Sequence, residues 1–298
     1  MMDLKMQRVE RVVRFALKED VWTGDLTSEA VLEPDLQIDA VVVAGNGGIV
    51  CGINVMERTF SVVDSDIRFR PMVKEGDHIE SGREVAFIEG NARSILRAER
   101  VALNFLGHLS GIATGTRALV DAVKGTRARI YDTRKTMPLH RYLQRYAVTV
   151  GGGYNHRWGL WDMVLLKDNH LRAYGIQKKS VNSENIIKNI IRQAKGSVQK
   201  NIQVEIEVET AKECEYALSE KPDIIMLDNM PVESVKKAVE LRERSGLSRD
   251  VLFEVSGGIT VENVKEYADT GVERISSGSL TGSVNSLDFG IEVIFRGA

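Results

Sequence analysis

Two cysteines in 298 residues, Cys51 and Cys214, cannot frame a disulfide-stapled fold. They form no C-x-x-C pair, and His78, His108 and His140 show no metal-ligand spacing, so zinc is unsupported. Cys51, inside an apolar run, reads as packing rather than as a nucleophile. No G-x-G-x-x-G or G-x-x-x-x-G-K-S/T fingerprint occurs, which disfavours dinucleotide and P-loop binding. Nowhere do eighteen apolar residues run together, and the opening MMDLKMQRVERVVRFALKED carries charges throughout, so neither a membrane span nor a signal peptide is expected. Charge of one sign is lacking as well. Forty Lys and Arg against 42 Asp and Glu leave a net −2, and no overall field favours nucleic acid. An anionic ligand must therefore be held by a local cluster of bases. What remains, 43% hydrophobic and 28% charged, is ordinary globular composition with length for one large domain or two modest ones. A soluble cytoplasmic protein is expected.

Residues Met6 to Glu19 space Val9, Val12, Val13, Ala16 and Leu17 as one helical stripe. From Asp39 the rhythm turns to short β-rich pieces, Ala40–Ala44, Ile49–Cys51, Ile67–Pro71 and Glu84–Glu89, separated by glycine turns. The run VKEGDHIESGREVAFIEG has the rhythm of a lipoyl- or biotinyl-type sandwich but no lysine at its hairpin tip, so it reads as scaffold. A helix follows over about 93–123, with interruptions expected near Gly107 and Gly111. Beyond Gly125 strands alternate with helices. The strand-like runs are Ala128–Tyr131, Met163–Leu166, Gln203–Val208, Asp223–Leu227, Val251–Val255 and Arg274–Ser276. Thr210 with Glu213, Pro231 and Gly271 punctuate the helices between them. Such alternation predicts a parallel sheet, open or closed, two strands short of a full eight-stranded barrel.

The densest chemistry lies between Arg127 and His170, where eight Lys or Arg face three Asp. Arg134 and Lys135 follow the strand ending near Asp132, Lys167 closes Met163–Leu166, and His156-Arg157 follows Gly151-Gly152-Gly153. Carboxyl ends of parallel strands converge on one face, so these cations point to an anion rather than to an unconnected basic loop. In Gln203–Glu209, alternation puts Val204, Ile206 and Val208 on one face and the carboxylates on the other. In a barrel, Glu205 and Glu207 point inward, offset by Lys135, Lys167 or a divalent cation; in an edge strand they face water. Asp228 could join Glu207 as an oxygen ligand for Mg²⁺. Ser256-Gly257-Gly258 and Ser276-Ser277-Gly278-Ser279 end the last strands, where backbone N–H groups can approach a phosphate. Trp158 and Trp161 flank the basic cluster and could wall an aromatic ligand or simply pack.

The segments RAERVALNFLGHLSGIAT, DTRKT, YAVTVGGGYNHRWGL, LLKDNH, EIEVE, MLDN and SGGI closely resemble the quinolinate phosphoribosyltransferase family, collinearly over nearly the whole chain. The resemblance implies an α/β fold: an N-terminal α/β sandwich over residues 1–112, with a C-terminal tail, 284–298, packing back on it. An incomplete, about six-stranded α/β barrel would occupy 113–283. It implies a pentosyltransferase that joins quinolinate to phosphoribosyl pyrophosphate, with decarboxylation, in NAD biosynthesis. The products are nicotinate mononucleotide, pyrophosphate and carbon dioxide. Mg²⁺ is the implied cofactor and a homodimer, or a higher oligomer with a dimeric core, the implied assembly. No nucleic acid and no membrane partner is implied. Arg134, His156, Arg157 and Lys167 would surround the quinolinate carboxylates, with Arg100 reaching in from the other subunit. Lys135, Ser256, Gly257, Gly258, Ser277 and Gly278 would hold the phosphates of the second substrate. Glu207 and Asp228 would hold ribose hydroxyls or Mg²⁺, directly or indirectly, and Lys135, Lys167, Glu207 and Asp228 would carry the chemistry. Two departures stand out: Leu139-His140 where Gly-Leu is usual, and extra residues around Gln177–Asn182. The alternative is a related phosphoribosyltransferase or binding protein for another anionic ring, as in the molybdenum-transport-associated relatives.

Overall fold

The structure, a computed structural model, describes residues 2, 4–248 and 250–294. The chain opens with α1 (Met6–Val21), α2 (Leu26–Val31), β1 (Gln37–Ala44), β2 (Gly48–Ile49), α3 (Ile53–Val63), β3 (Arg68–Pro71), β4 (His78–Ile79), β5 (Glu84–Asn91) and α4 (Ala92–Ala122). There follow β6 (Arg129–Tyr131), α5 (Arg141–Val150), β7 (Val164–Leu166), α6 (Asp168–Lys178), α7 (Ser183–Ser197), β8 (Val204–Val208) and α8 (Ala211–Leu218). The remainder is β9 (Ile224–Asp228), α9 (Val232–Arg244), β10 (Leu252–Ser256), α10 (Val264–Asp269), β11 (Arg274–Ser276), α11 (Ser279–Gly282) and β12 (Phe289–Ile294). Two compact units divide the chain: Met1–Arg117 with Thr136–Gly152 and Leu280–Ala298, and Ala118–Lys135 with Gly153–Ser279.

The first unit is built on an antiparallel sheet in the order β12-β1-β5-β3, with a separate β2-β4 pair. Its core joins Val42 of β1 and Ile88 of β5 to Met56 and Phe60 of α3 and Ile95 and Leu106 of α4, all fully buried. Each such side chain contributes about 1.5–3 kcal/mol on leaving water. The predicted stripe on α1 holds, with Val9, Val13 and Leu17 buried. β12 pairs with β1, Val42 facing Ile291; the expected tail lies outside the described residues from 295 onward. Thr136–Gly152, placed with the second domain from the sequence, belongs to the first unit. There the Lys5 amide donates to Tyr142 Oη at 2.7 Å, and Gln144 Nε2 meets His108 Nε2 at 2.9 Å. The interruptions expected in α4 are absent, and the helix runs unbroken through both glycines. The glycines serve close approach instead: a Cβ would lie 2.5 Å from the Leu287 carbonyl at Gly107 and 2.2 Å from that of Asn285 at Gly111.

The second unit is a six-stranded parallel sheet in the order β6-β11-β10-β9-β8-β7, an incomplete α/β barrel. All six expected strands are present within about a residue of their expected bounds. Beyond β6 the sheet gains only a single parallel bridge, Tyr131 to Tyr154. β8 lies between β7 and β9, so it is no edge strand. Val204, Ile206 and Val208 are buried on its outer face, and Glu205 is fully buried on the inner one. The extra residues after α6 form a tight corner, with Lys179 at φ 52° and Asn182 accepting from the Asn185 amide to start α7.

Candidate active site

The loop between α5 and β7 is tied down by carboxylates, one of them from the end of β6. Asp132, fully buried, accepts the His156 amide at 2.7 Å, and its own amide donates to the Tyr154 carbonyl at 3.0 Å. The loop then folds on itself. Trp158 N donates to Asp162 Oδ2 at 2.7 Å, and Arg157 Nη1 donates to the Met163 carbonyl at 3.1 Å. Two of the three acids counted against the basic cluster are therefore consumed in shaping the loop. Arg157 itself is buried.

The predicted cations converge. Burial, and next the nearby charge of Arg134, press the Arg157 pKa down, while Glu205 and Glu207 oppose this. Lys167, at the end of β7, forms an ion pair with Glu207 of β8. Lys135 lies against Gly278, where a Cβ would sit 2.8 Å from the lysine Cδ. Asp228, ending β9, accepts from Asn229 Nδ2 at 2.9 Å, and the Asn229 amide donates to the Ser256 carbonyl at 2.8 Å. Gly257 has φ 95°, and a Cβ there would fall 2.2 Å from Asn229 Oδ1; only glycine fits beside that side chain. Gly258 is also left-handed, and Ser277, buried, donates its amide to the Tyr131 carbonyl at 3.1 Å. A cavity of about 450 Å³ opens beside Glu207 and Asp228, lined also by Asp168, Glu209, Glu213 and Arg172. Arg100 is exposed on α4, in the first unit.

Beneath the strand ends lies a charged layer that sequence reasoning missed in part. His156 Nε2 lies 3.1 Å from Glu205 Oε2 and 3.3 Å from Glu254 Oε1, and Glu254 holds Arg274 Nε at 2.5 Å. Arg274 also stacks 3.8 Å over the Tyr131 ring. Glu254 sits singly inside a short apolar run and Arg274 follows Glu273 at the start of β11, and only the inward parity of β10 and β11 could have singled them out. Burial opposes ionisation of Glu254, yet His156 and Arg274 outweigh it and hold the carboxyl near about 2. Burial and the neighbouring Glu254 raise Glu205 instead. For His156 burial opposes a charge on the ring, while the two carboxylates favour one. The Arg157 amide works against that, donating to His156 Nδ1 at 2.7 Å, a bond that a doubly protonated ring could not accept. The geometry therefore selects the ring protonated on Nε2 alone. The three side chains lie close enough together to hold a metal ion, and Arg274 already neutralises one of the two carboxylates.

A parallel α/β barrel fragment that gathers Arg134, Arg157 and Lys167 around Glu207 at its strand ends defines an enzyme of the α/β class with a site shaped for an anion. Family profiles identify it further: the quinolinate phosphoribosyl transferase N-terminal domain matches residues 25–110 and the C-terminal domain residues 112–292. The carboxylating nicotinate-nucleotide pyrophosphorylase of Mycobacterium leprae is 38% identical over 296 residues, covering 98% of this chain and 99% of that protein. A probable enzyme of the same name from Bacillus subtilis is 37% identical over 286 residues, covering 96% and 93%. The solved structure of the nicotinate-nucleotide pyrophosphorylase from Francisella tularensis superposes with a TM-score of 0.88 at 34% identity, over 98% of each chain. The chain belongs to the quinolinate phosphoribosyltransferase family. Among the described residues, no helix is long and apolar enough to cross a membrane.

Proposed function

We propose that this protein transfers the phosphoribosyl group of phosphoribosyl pyrophosphate to quinolinate, with decarboxylation, yielding nicotinate mononucleotide, pyrophosphate and carbon dioxide. The observation that carries the reading is the convergence of Arg134, Arg157 and Lys167 beside Glu207 at the carboxyl ends of one sheet. A dianion such as quinolinate gives up much hydration on entering a buried site, and paired cations offset that cost while fixing its orientation. Arg134, Arg157 and Lys167 bind its carboxylates; Arg100 is supplied by the second subunit of a homodimer.

Attack of the ring nitrogen on ribose C1 forms the C–N bond as the C–O bond to pyrophosphate breaks, and positive charge builds on the sugar. Glu207 and Asp228, beside the cavity, stabilise that charge and hold the ribose hydroxyls. Lys135, against Gly278, neutralises the departing pyrophosphate, and Ser256, Gly257, Gly258 and Ser277 cradle the 5′-phosphate. The oxygen donors Glu207 and Asp228 suit a hard cation, so they would hold Mg²⁺, directly or through water, and it would supply charge neutralisation of the pyrophosphate. The 2-carboxylate then departs as carbon dioxide, the quaternised ring nitrogen stabilises the electron pair left on C2, and C2 takes up a proton from water to give nicotinate mononucleotide. No nucleophilic side chain is required.

Protein mixed with quinolinate, phosphoribosyl pyrophosphate and Mg²⁺ should release carbon dioxide and nicotinate mononucleotide in equal amounts. Neither product, or equal turnover of nicotinate, would overturn the reading. Lys167→Ala should lower kcat/KM at least about 100-fold with little change in thermal midpoint, since Lys167 is half-exposed and bears on substrate rather than on core packing.

A further inference from the structure

The side chain of His156 is buried, and its ring is directed at two carboxylates inside the barrel sheet. Its Nε2 faces Glu205 at 3.1 Å and Glu254 at 3.3 Å in the barrel interior, and Glu254 is anchored by Arg274. Its Nδ1 accepts the Arg157 amide at 2.7 Å, and its own amide is held by Asp132, also at 2.7 Å. Nδ1 thus accepts a protein hydrogen bond, and Nε2 lies within ion-pair distance of two carboxylates. What the ring controls is the next residue, whose guanidinium is tied to the Met163 carbonyl at 3.1 Å and lies near Arg134 and Glu207.

We propose that His156 is a positioning residue rather than a substrate ligand: anchored on Glu205 and Glu254, it holds the Arg157 amide and so fixes where the Arg157 guanidinium meets the dicarboxylate. The proposal rests on the quinolinate reading above. It departs from the expectation that His156 contributes a cation of its own. A fixed guanidinium binds a carboxylate without first losing rotamer freedom, so loosening Arg157 should weaken quinolinate binding more than it slows the chemical step.

Two substitutions separate the ring's nitrogens. His156→Asn keeps an acceptor close to the Arg157 amide and loses the reach to Glu254. His156→Gln reaches the carboxylates and loses the acceptor. The expected result is a KM for quinolinate within about threefold of the parent for His156→Asn and raised at least about tenfold for His156→Gln. In both, kcat and the KM for phosphoribosyl pyrophosphate should change far less. The reverse order, Gln tolerated and Asn impaired, would overturn the proposal, because it would mean that Nε2 does the binding.

Nitrogen-15 spectra of histidine-labelled parent protein give a second measurement that does not depend on the variants folding well. At neutral pH the His156 ring should carry one proton, on Nε2, and saturating quinolinate should leave both ring nitrogens unshifted. A doubly protonated ring, or a ring nitrogen that moves on adding quinolinate, overturns the assignment, and this spectrum decides if both variants lose affinity equally. If the parent does not turn over quinolinate at all, the proposed function fails. The substrate-free spectrum still tells whether Nδ1 is an acceptor, so the two failures are distinguishable.

Discussion

Leu139 stands at φ 66°, in the left-handed region, with 84% of its surface exposed, where the family resemblance leads one to expect glycine. A side chain there costs about 1–2 kcal/mol, against about 0.4–1 kcal/mol for the extra unfolded freedom of glycine. Leu139→Gly should therefore raise stability by about 0.5–1 kcal/mol in a urea titration; a loss of stability would mean that the leucine packs on something that offsets the strain. Glu254 carries the pH dependence. Against burial, His156 and the Arg274 guanidinium hold its carboxyl below the ordinary 4.5, at about 2, so its stabilisation is complete above pH 4.5 and disappears as pH falls towards 2. The stability gap between the parent and Glu254→Gln should accordingly be widest near neutrality and shrink below pH 4.5. A gap that grows in acid would show that the carboxyl is not ionised in the fold. Neither feature could be read from residue type alone: Leu139 looks like any exposed loop leucine, and a single glutamate in LFEVS could face either way.

The strands of the barrel were legible because most are short apolar runs bounded by turns and β8 alternates with period two, and the helices between them carry their own punctuation. Thr210 accepts the Glu213 amide at 3.2 Å, and Pro231 precedes α9, as expected of each. α4 was misjudged because glycine inside a helical pattern ordinarily signals weakness, whereas here it marks two carbonyls pressed against the helix. The consequence is a contrast within one element. Gly111→Ala should destabilise by about 1–3 kcal/mol, since its methyl group meets the Asn285 carbonyl at 2.2 Å. Gly115→Ala, with nothing within 4 Å, should stabilise by about 0.5–1 kcal/mol. Equal effects in thermal melts would remove close approach as the reason for the glycines. α3 was not read from the sequence, although Ile53, Met56 and Phe60 fall at i, i+3 and i+7 on one buried face.

The assembly carries its own test. If Arg100 completes the site of a second subunit, Arg100→Ala and Lys167→Ala homodimers should both be inactive. Co-refolded mixtures should then recover about a quarter of parental activity, because half the dimers are mixed and each holds one intact site. No recovery would place Arg100 and Lys167 in the same subunit's site or outside it altogether. Across the chain, composition and period were enough to establish two kinds of architecture, six parallel strands and a cationic cluster at their ends, because burial parity and strand-end convergence follow from local pattern. The partition of Thr136–Gly152 into the first unit was beyond that reach. So was the inward turn of His156 onto Glu205 and Glu254, and the use of Asp132 and Asp162 as loop ties rather than site charges. Apart from the short Asp162–Trp158 tie, those depend on which groups meet across 20 to 137 residues of chain, and a buried charge finds its partner through packing geometry that no local pattern encodes.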